Sequence, residues 1–356
     1  MIEGKVAVLG AGSWGTALAK TLAEKGLFVE LWARRAPLAR EINEAHENAH
    51  YLPGAALPGN LVATHDLAQT LAGAHMVLFV APSHATREVV RAAAPHVPHG
   101  VPIVSATKGI ENESLMFMDE VLGEELPAGC REHLTFLSGP SFARELARHL
   151  PTAVVIASRS AEDREKAMHA FHTPYLRTYA SDDVVGVECG GALKNVIAIA
   201  AGASDGLGYG HNTRAALITR GLAEIAKLSM ARGGSALTLA GLAGMGDLVL
   251  TCTGELSRNR TVGFELGKGR KLDDVLAGLG HVAEGVRTAK SAYDLAQRLG
   301  VEMPITTEVY KALYEDKPAA EAVVDLMARE LGPEFERGAA PHAVRPSWWS
   351  TRQNGS

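Results

Sequence analysis

The sequence predicts a doubly wound α/β unit over residues 1–183, followed by an all-helical unit over residues 184–331. Length comes first: 356 residues exceed what one compact core usually serves. Through the first half, short unalternated apolar runs alternate with helix-period segments, as a parallel sheet covered on both faces requires. After Asp183 the strand-like runs stop, and amphipathic or uniformly apolar helical stretches continue to about Leu331.

The strand-like runs are residues 6–9, 28–32, 61–64, 76–80, 103–106, 134–137, 154–157 and 176–179. Some of the later ones are compatible with an antiparallel course. Residues 184–203 are rich in Ala, Gly, Val and Ile, with Glu188 and Lys194 their only charges. A helix there must be buried nearly all round, which makes it the axis of the second unit. Residues 332–356 hold several prolines and glycines and then Trp348 and Trp349, and read as a loosely attached extension.

A net charge of −5, without an acidic tail or basic run, gives no reason to expect nucleic acid or an anionic membrane as partner. No stretch is read as the roughly 20 apolar residues of a membrane span, so the chain is expected not to be membrane-integral. Cys130, Cys189 and Cys252 are odd in number and far apart, without a Cys-x-x-Cys pair. A reducing, cytoplasmic setting follows. No His/Cys/Asp spacing resembles a metal site, and none is expected.

Gly10-Ala11-Gly12-Ser13-Trp14-Gly15 matches G-x-G-x-x-G, a weak signal alone. Its setting strengthens it: an apolar strand precedes the loop, and a helix follows to Lys25 with Gly26 as its stop. Gly10 permits the turn, Gly12 lets backbone approach a pyrophosphate, and Gly15 brings helix and strand close. The helix N-terminus then faces phosphate, the arrangement of a Rossmann-type dinucleotide site. The second strand ends in Trp32-Ala33-Arg34-Arg35 without the Asp or Glu that would hold the ribose hydroxyls of NAD. Two guanidinium groups suit a 2′-phosphate, so NADP is expected to be preferred, with NAD still able to bind.

A nicotinamide dinucleotide transfers hydride, and where it reduces a carbonyl the negative charge that builds on oxygen calls for a positioned proton donor. Lys194 is the best placed, in the most apolar helix of the chain. Glu188 is six positions away and does not share its face, so desolvation should lower the lysine pKa. Asp247 follows Gly244-Met245-Gly246, read as a flexible bend, where its carboxylate could orient Lys194 or bind a substrate hydroxyl. Lys108 follows a strand at the expected carboxyl edge of the sheet and could meet both substrate and cofactor. Ser257, Arg258 and Asn259 offer a hydroxyl, a planar fork and an amide before a helix expected at Thr261, a phosphate-binding set. Arg260 adds charge, although Arg-Asn-Arg reads equally as a solvated loop. Gly139 and Ser141 lie in another strand-to-helix turn and could offer a backbone N–H and a hydroxyl. His84, after Pro82-Ser83, reads as capping chemistry at a helix start rather than as the acid.

Five blocks in order are similar to bacterial NAD(P)-dependent glycerol-3-phosphate dehydrogenase: the glycine loop; Val80-Ala81-Pro82-Ser83-His84; Ala106-Thr107-Lys108-Gly109; Ser138-Gly139-Pro140-Ser141-Phe142-Ala143; and 246–253 followed by Ser257-Arg258-Asn259-Arg260. The Lys194-Asn195 pair lies between the last two, and the likeness spans roughly residues 5–330. The resemblance implies reversible interconversion of glycerone phosphate and sn-glycerol 3-phosphate, a small-molecule substrate pair that feeds membrane phospholipids. It makes Lys194 the general acid in reduction and the base in oxidation. It assigns substrate contacts to Lys108, Gly139, Ser141, Asp247, Ser257, Arg258 and Asn259. Cofactor contacts fall on Gly10, Gly12, Ser13, Trp14, Gly15, Arg34, Arg35, Lys108, Ala143, Arg258, Val282 and Glu284. A homodimer is compatible with this reading. Two rivals share the early motifs: a β-hydroxyacid or 6-phosphogluconate type dehydrogenase, and a non-catalytic NADP sensor.

Overall fold

The computed structural model describes residue 2, residues 4–279 and 283–331, and residue 334. Eight strands form one sheet: β1 (Lys5–Leu9), β2 (Phe28–Trp32), β3 (Leu61–Thr64), β4 (Ala74–Phe79), β5 (Ile103–Ser105), β6 (Leu134–Ser138), β7 (Thr152–Ser158) and β8 (Leu176–Ser181). Their order is β3-β2-β1-β4-β5-β6-β7-β8. Neighbours run parallel except β6 and β7, where Phe136 pairs antiparallel with Ala157. The order reverses between β1 and β4, and ligands of doubly wound sheets bind outside the carboxyl ends at such a switch.

Helices α1 (Ser13–Glu24), α2 (Ala36–Ala45), α3 (Leu67–Leu71), α4 (Ser83–Ala93), α5 (Met118–Glu125), α6 (Ala143–Ala147) and α7 (Ala161–Phe171) connect the strands. Period-two burial explains the two-sided cover: Val6 and Val8 of β1 join one apolar cluster with Leu18 and Leu22 of α1. Ala7 and Leu9 join another with Val89 and Val90 of α4 and Val121 and Leu122 of α5. Both faces of β1 are therefore dry, as its unbroken apolar run required.

The second unit contains α8 (Val184–Gly206), α9 (His211–Ala231), α10 (Ala236–Leu239), α11 (Asp247–Thr253), α12 (Arg258–Gly267), α13 (Leu272–Leu279), α14 (Glu284–Leu299), α15 (Pro304–Tyr314) and α16 (Ala319–Met327). Asp183 starts α8 by accepting from Gly186 N at 2.8 Å, and it also accepts from Ser235 N at 2.9 Å. The helix is enclosed, as its composition demanded. It is nevertheless long and apolar enough to cross a bilayer, which corrects the expectation that no stretch reaches that length; 83% of its most apolar window is buried inside the protein. Its glycines and alanines do not look like lipid-facing side chains because they serve helix contact. A Cβ at Gly202 would overlap Arg260 O, and one on Gly263 of α12 would overlap Ile199 O. Helices α8 and α12 thus touch backbone to backbone, which small residues alone permit. This contact carries the Ser257 end of α12 to the middle of α8.

Candidate active site

A cleft of about 610 Å³ opens between the carboxyl edge of the sheet and the helical unit, a size typical of small-molecule sites. The glycine loop forms one wall. Gly10 has φ +135°, and a Cβ there would meet Val80 O at 2.7 Å; one on Gly15 would overlap Gly10 O. Gly12 differs: a Cβ there would meet nothing within 4 Å. The first and third glycines are demanded by the protein itself, whereas Gly12 borders open space where a ligand's backbone can approach. Helix α1 has no side-chain cap and no acid in its first turn, so its leading N–H groups are available to an anion.

At the inner end, Lys194 projects from α8, and its Nζ donates to Asp247 Oδ1. The other carboxylate oxygen, Oδ2, accepts from Lys108 Nζ at 2.7 Å, and Lys108 also donates to Gly139 O at 3.1 Å. Asp247 is fully buried and so joins two lysines in a dry setting. Burial pushes the Lys194 pKa down to about 8, with Lys108 pressing the same way and Asp247 opposing both. The partner missing from its own helix comes from α11. Asp247 does not follow a flexible bend: a π-helical segment, Leu242–Gly246, runs directly into α11. Gly244 permits this wide turn, since a Cβ there would overlap Leu239. Extra residues in one turn rotate a side chain that ordinary helix would aim elsewhere.

Ser257 caps α12, accepting from Arg260 N at 3.3 Å, so the helix starts at Arg258 rather than at Thr261. Its first turn carries no acid. Asn259 is heavily committed: its amide donates to Asn195 Oδ1 at 2.9 Å and accepts from Gly285 N at 2.9 Å. Arg260 turns away from any substrate to Asp205, which it reaches at 2.6 Å and which also receives Arg214. Partial desolvation, and then the charge of Arg144, hold the Arg258 guanidinium below its ordinary pKa.

Among the expected site residues, Gly10, Gly12, Ser13, Trp14, Gly15, Arg34, Arg35, Lys108, Ser141, Ala143, Lys194, Ser257, Arg258, Asn259 and Glu284 line this one cleft. Gly139 and Asp247 do not line it; they stand behind Lys108 and Lys194. Val282 lies outside the described residues. Arg34 and Arg35 are exposed after β2. The carboxylate of that strand, Glu30, is taken by Lys5 and by Gln69 Nε2 at 3.0 Å. Glu284 accepts from Ser83 Oγ at 2.7 Å, and burial raises its pKa. His84 also lines the cleft, with its pKa lowered by desolvation, then by Arg287 and Arg34. Among the described residues, no group of three His, Cys, Asp or Glu could hold a metal ion, and all three cysteines are buried free thiols.

Sequence reasoning passed over Thr251 and gave no role to Asn195, both of which line the cleft. A signal existed for the first. Thr251 follows Asp247 by one helical turn, and its hydroxyl donates to Asp247 O at 2.6 Å. Asn195 had only its adjacency to Lys194.

Comparison with known proteins identifies the family. Family profiles described as NAD-dependent glycerol-3-phosphate dehydrogenase N-terminus and C-terminus match residues 5–164 and 183–324. Glycerol-3-phosphate dehydrogenase [NAD(P)+] of Geobacter metallireducens is 55% identical over 334 residues, covering 94% of this chain and 99% of the relative. The Myxococcus xanthus protein of the same name is 55% identical over 323 residues, covering 91% and 96%. The crystal structure of glycerol-3-phosphate dehydrogenase from Coxiella burnetii superposes with a TM-score of 0.87 at 41% identity, covering 92% of this chain and 99% of that one. This chain therefore belongs to the NAD(P)-dependent glycerol-3-phosphate dehydrogenase family of oxidoreductases.

Proposed function

We propose that the chain interconverts glycerone phosphate and sn-glycerol 3-phosphate, with Lys194 Nζ as the proton donor in reduction and acceptor in oxidation. One observation carries this reading: a lysine with a pKa near 8, held by a buried carboxylate, sits in one cleft with a glycine-loop helix start and a second acid-free helix start at Ser257. Such a group can both give and take a proton near neutral pH. Asp247 keeps the amine in place and shares its second oxygen with Lys108, whose remaining N–H group is free to meet the substrate oxygens. The Ser257 hydroxyl and the Arg258 fork take the phosphate. Asn259, committed to Asn195 and Gly285, chiefly holds α12 against α8 and has one amide hydrogen left to donate. Gly139 serves through its carbonyl, which orients Lys108, and Ser141 Oγ donates to that carbonyl at 3.0 Å.

The cofactor wall fits a nicotinamide dinucleotide. Gly10, Gly12, Ser13, Trp14, Gly15, Lys108, Ala143, Arg258 and Glu284 would hold it, together with Val282, whose role rests on the family likeness alone. When bound, the nicotinamide supplies or accepts the hydride. Arg34 and Arg35 lie exposed where an acidic residue would otherwise select NAD, so NADP is preferred. In this reading residues 1–183 act as the cofactor unit and 184–331 as the substrate unit, with closure between them excluding water. The product's use is glycerophospholipid synthesis in the cytoplasm. Steady-state oxidation of NADPH and of NADH with glycerone phosphate tests the proposal: turnover with both, favouring NADPH, is expected. Absence of turnover with either cofactor overturns it.

A further inference from the structure

A second, much smaller cavity of about 10 Å³ shares Thr107 and Lys108 with the cleft but none of the cleft's other lining. Ser105 and Ser138, at the carboxyl ends of β5 and β6, bound it together with Glu188 and Gly191 of α8. Three of these residues carry a buried polar atom without a hydrogen-bond partner: Ser105 Oγ, Ser138 Oγ and Glu188 Oε2. Orphaned polar atoms are rare in protein interiors, and three around one cavity call for a shared partner. The space is about what one water needs, and an internal water typically makes about three hydrogen bonds.

The surroundings tie this cavity to Lys108. A Cβ on Gly191 would stand 2.7 Å from Ser138 Oγ and 3.5 Å from Lys108 Cγ, so hydroxyl and lysine stem converge on that glycine. Ser138 immediately precedes Gly139, whose carbonyl accepts from Lys108 Nζ. Glu188 Oε1 accepts from Asp119 N at 3.2 Å, leaving Oε2 for the cavity. Burial and the nearby Asp119 carboxylate keep the Glu188 pKa well above the usual carboxylate range, against the opposing charge of Arg232. A neutral carboxyl is both donor and acceptor, which suits a water that must satisfy two hydroxyls as well.

We propose that one internal water bridges Ser105 Oγ, Ser138 Oγ and Glu188, and that Glu188 is a positioning residue for Lys108, acting through this water and the Ser138–Gly139 peptide. The inference rests on Lys108 being a substrate contact. It predicts a split between KM values, because the water fixes Lys108, one of few substrate contacts but one of many cofactor contacts, and touches nothing on the glycine-loop wall. Glu188→Leu removes the polar partner and should raise KM for glycerone phosphate by about tenfold, the scale of one lost hydrogen bond, while KM for NADPH, which many other residues hold, moves by less than about threefold. Glu188→Gln keeps an uncharged donor and acceptor and should restore it to within about threefold of the parent. Ser138→Ala gives the same readout should the Leu variant fail to fold. A crystal structure of the full chain should contain an ordered water within hydrogen-bonding distance of all three atoms.

An empty cavity, or serine hydroxyls satisfied by backbone carbonyls, overturns the water. Gln behaving as badly as Leu, or both KM values rising together, overturns the positioning role. Parent enzyme inactive on glycerone phosphate refutes the substrate reading instead, while active parent enzyme without the KM split refutes this inference alone.

Discussion

Carbonyl reduction and alcohol oxidation by this chain should show mirror-image pH dependences that cross near pH 8, the pKa to which burial lowers Lys194. With the Lys194 ammonium as the proposed acid for reduction, kcat/KM for glycerone phosphate should be high below the pKa and fall as pH rises through it. With the free amine as the proposed base for oxidation, kcat/KM for glycerol 3-phosphate should rise over the same interval. With a midpoint near 8, about nine in ten Lys194 side chains are protonated at pH 7 and about one in ten at pH 9. Each direction should therefore change about tenfold across those two pH values. kcat/KM for each substrate reports ionisations of the enzyme form that meets it, before the carbonyl or alcohol binds.

Asp247→Asn sharpens the test. The carboxylate is the main influence raising the Lys194 pKa against burial, and Lys108 opposes it. Removing it should lower the midpoint by on the order of one to three pH units, the usual effect of one close opposite charge. At pH 7 at least about half of the variant's amine would then be neutral, against about one in ten in the parent, and reduction would suffer more than oxidation. The assay is NADPH absorbance in both directions from about pH 6 to about pH 10. Flat profiles, or an Asn variant with an unmoved midpoint, would refute Lys194 as the titrating acid. Lys194→Ala should lose on the order of 10²–10⁴ in turnover with cofactor affinity retained, which fluorescence titration of bound NADPH would measure.

Gly12→Ala should leave thermal unfolding within about 1 kcal/mol of the parent, since the new methyl meets no protein atom and Gly12 already has φ −77°, while NADPH affinity falls. Equal loss of stability in Gly12→Ala and Gly15→Ala would contradict the division between structural and ligand-facing glycines. Gly263→Ala should cost about 1–3 kcal/mol in denaturant unfolding, because the methyl overlaps Ile199 O across the α8–α12 contact; an unchanged midpoint would show that the helices separate easily. Replacing Arg34 and Arg35 together by Ala should raise KM for NADPH about tenfold or more and leave NADH nearly untouched. Equal loss for both cofactors would remove the 2′-phosphate as the group they recognise.

What could be read from the sequence is whatever short-range pattern dictates. Unalternated apolar runs such as residues 6–9 specify strands dry on both faces, and the glycine loop sits between a strand and a helix that define its use. The composition around Lys194 specified its burial and so the direction of its pKa shift. Features that need two distant segments to meet left no such pattern. Lys108 and Asp247 are 139 positions apart, and their ion pair depends on a π-helical segment whose only local trace is glycine spacing. The same holds for charge. Ser257, Arg258, Asn259 and Arg260 read as a run of equivalent donors, yet Asp205 engages Arg260 while Asn195 and Gly285 engage Asn259. Residue type announces what a side chain can bond to; only the fold decides which bonds are already made, and so which donors remain for a substrate.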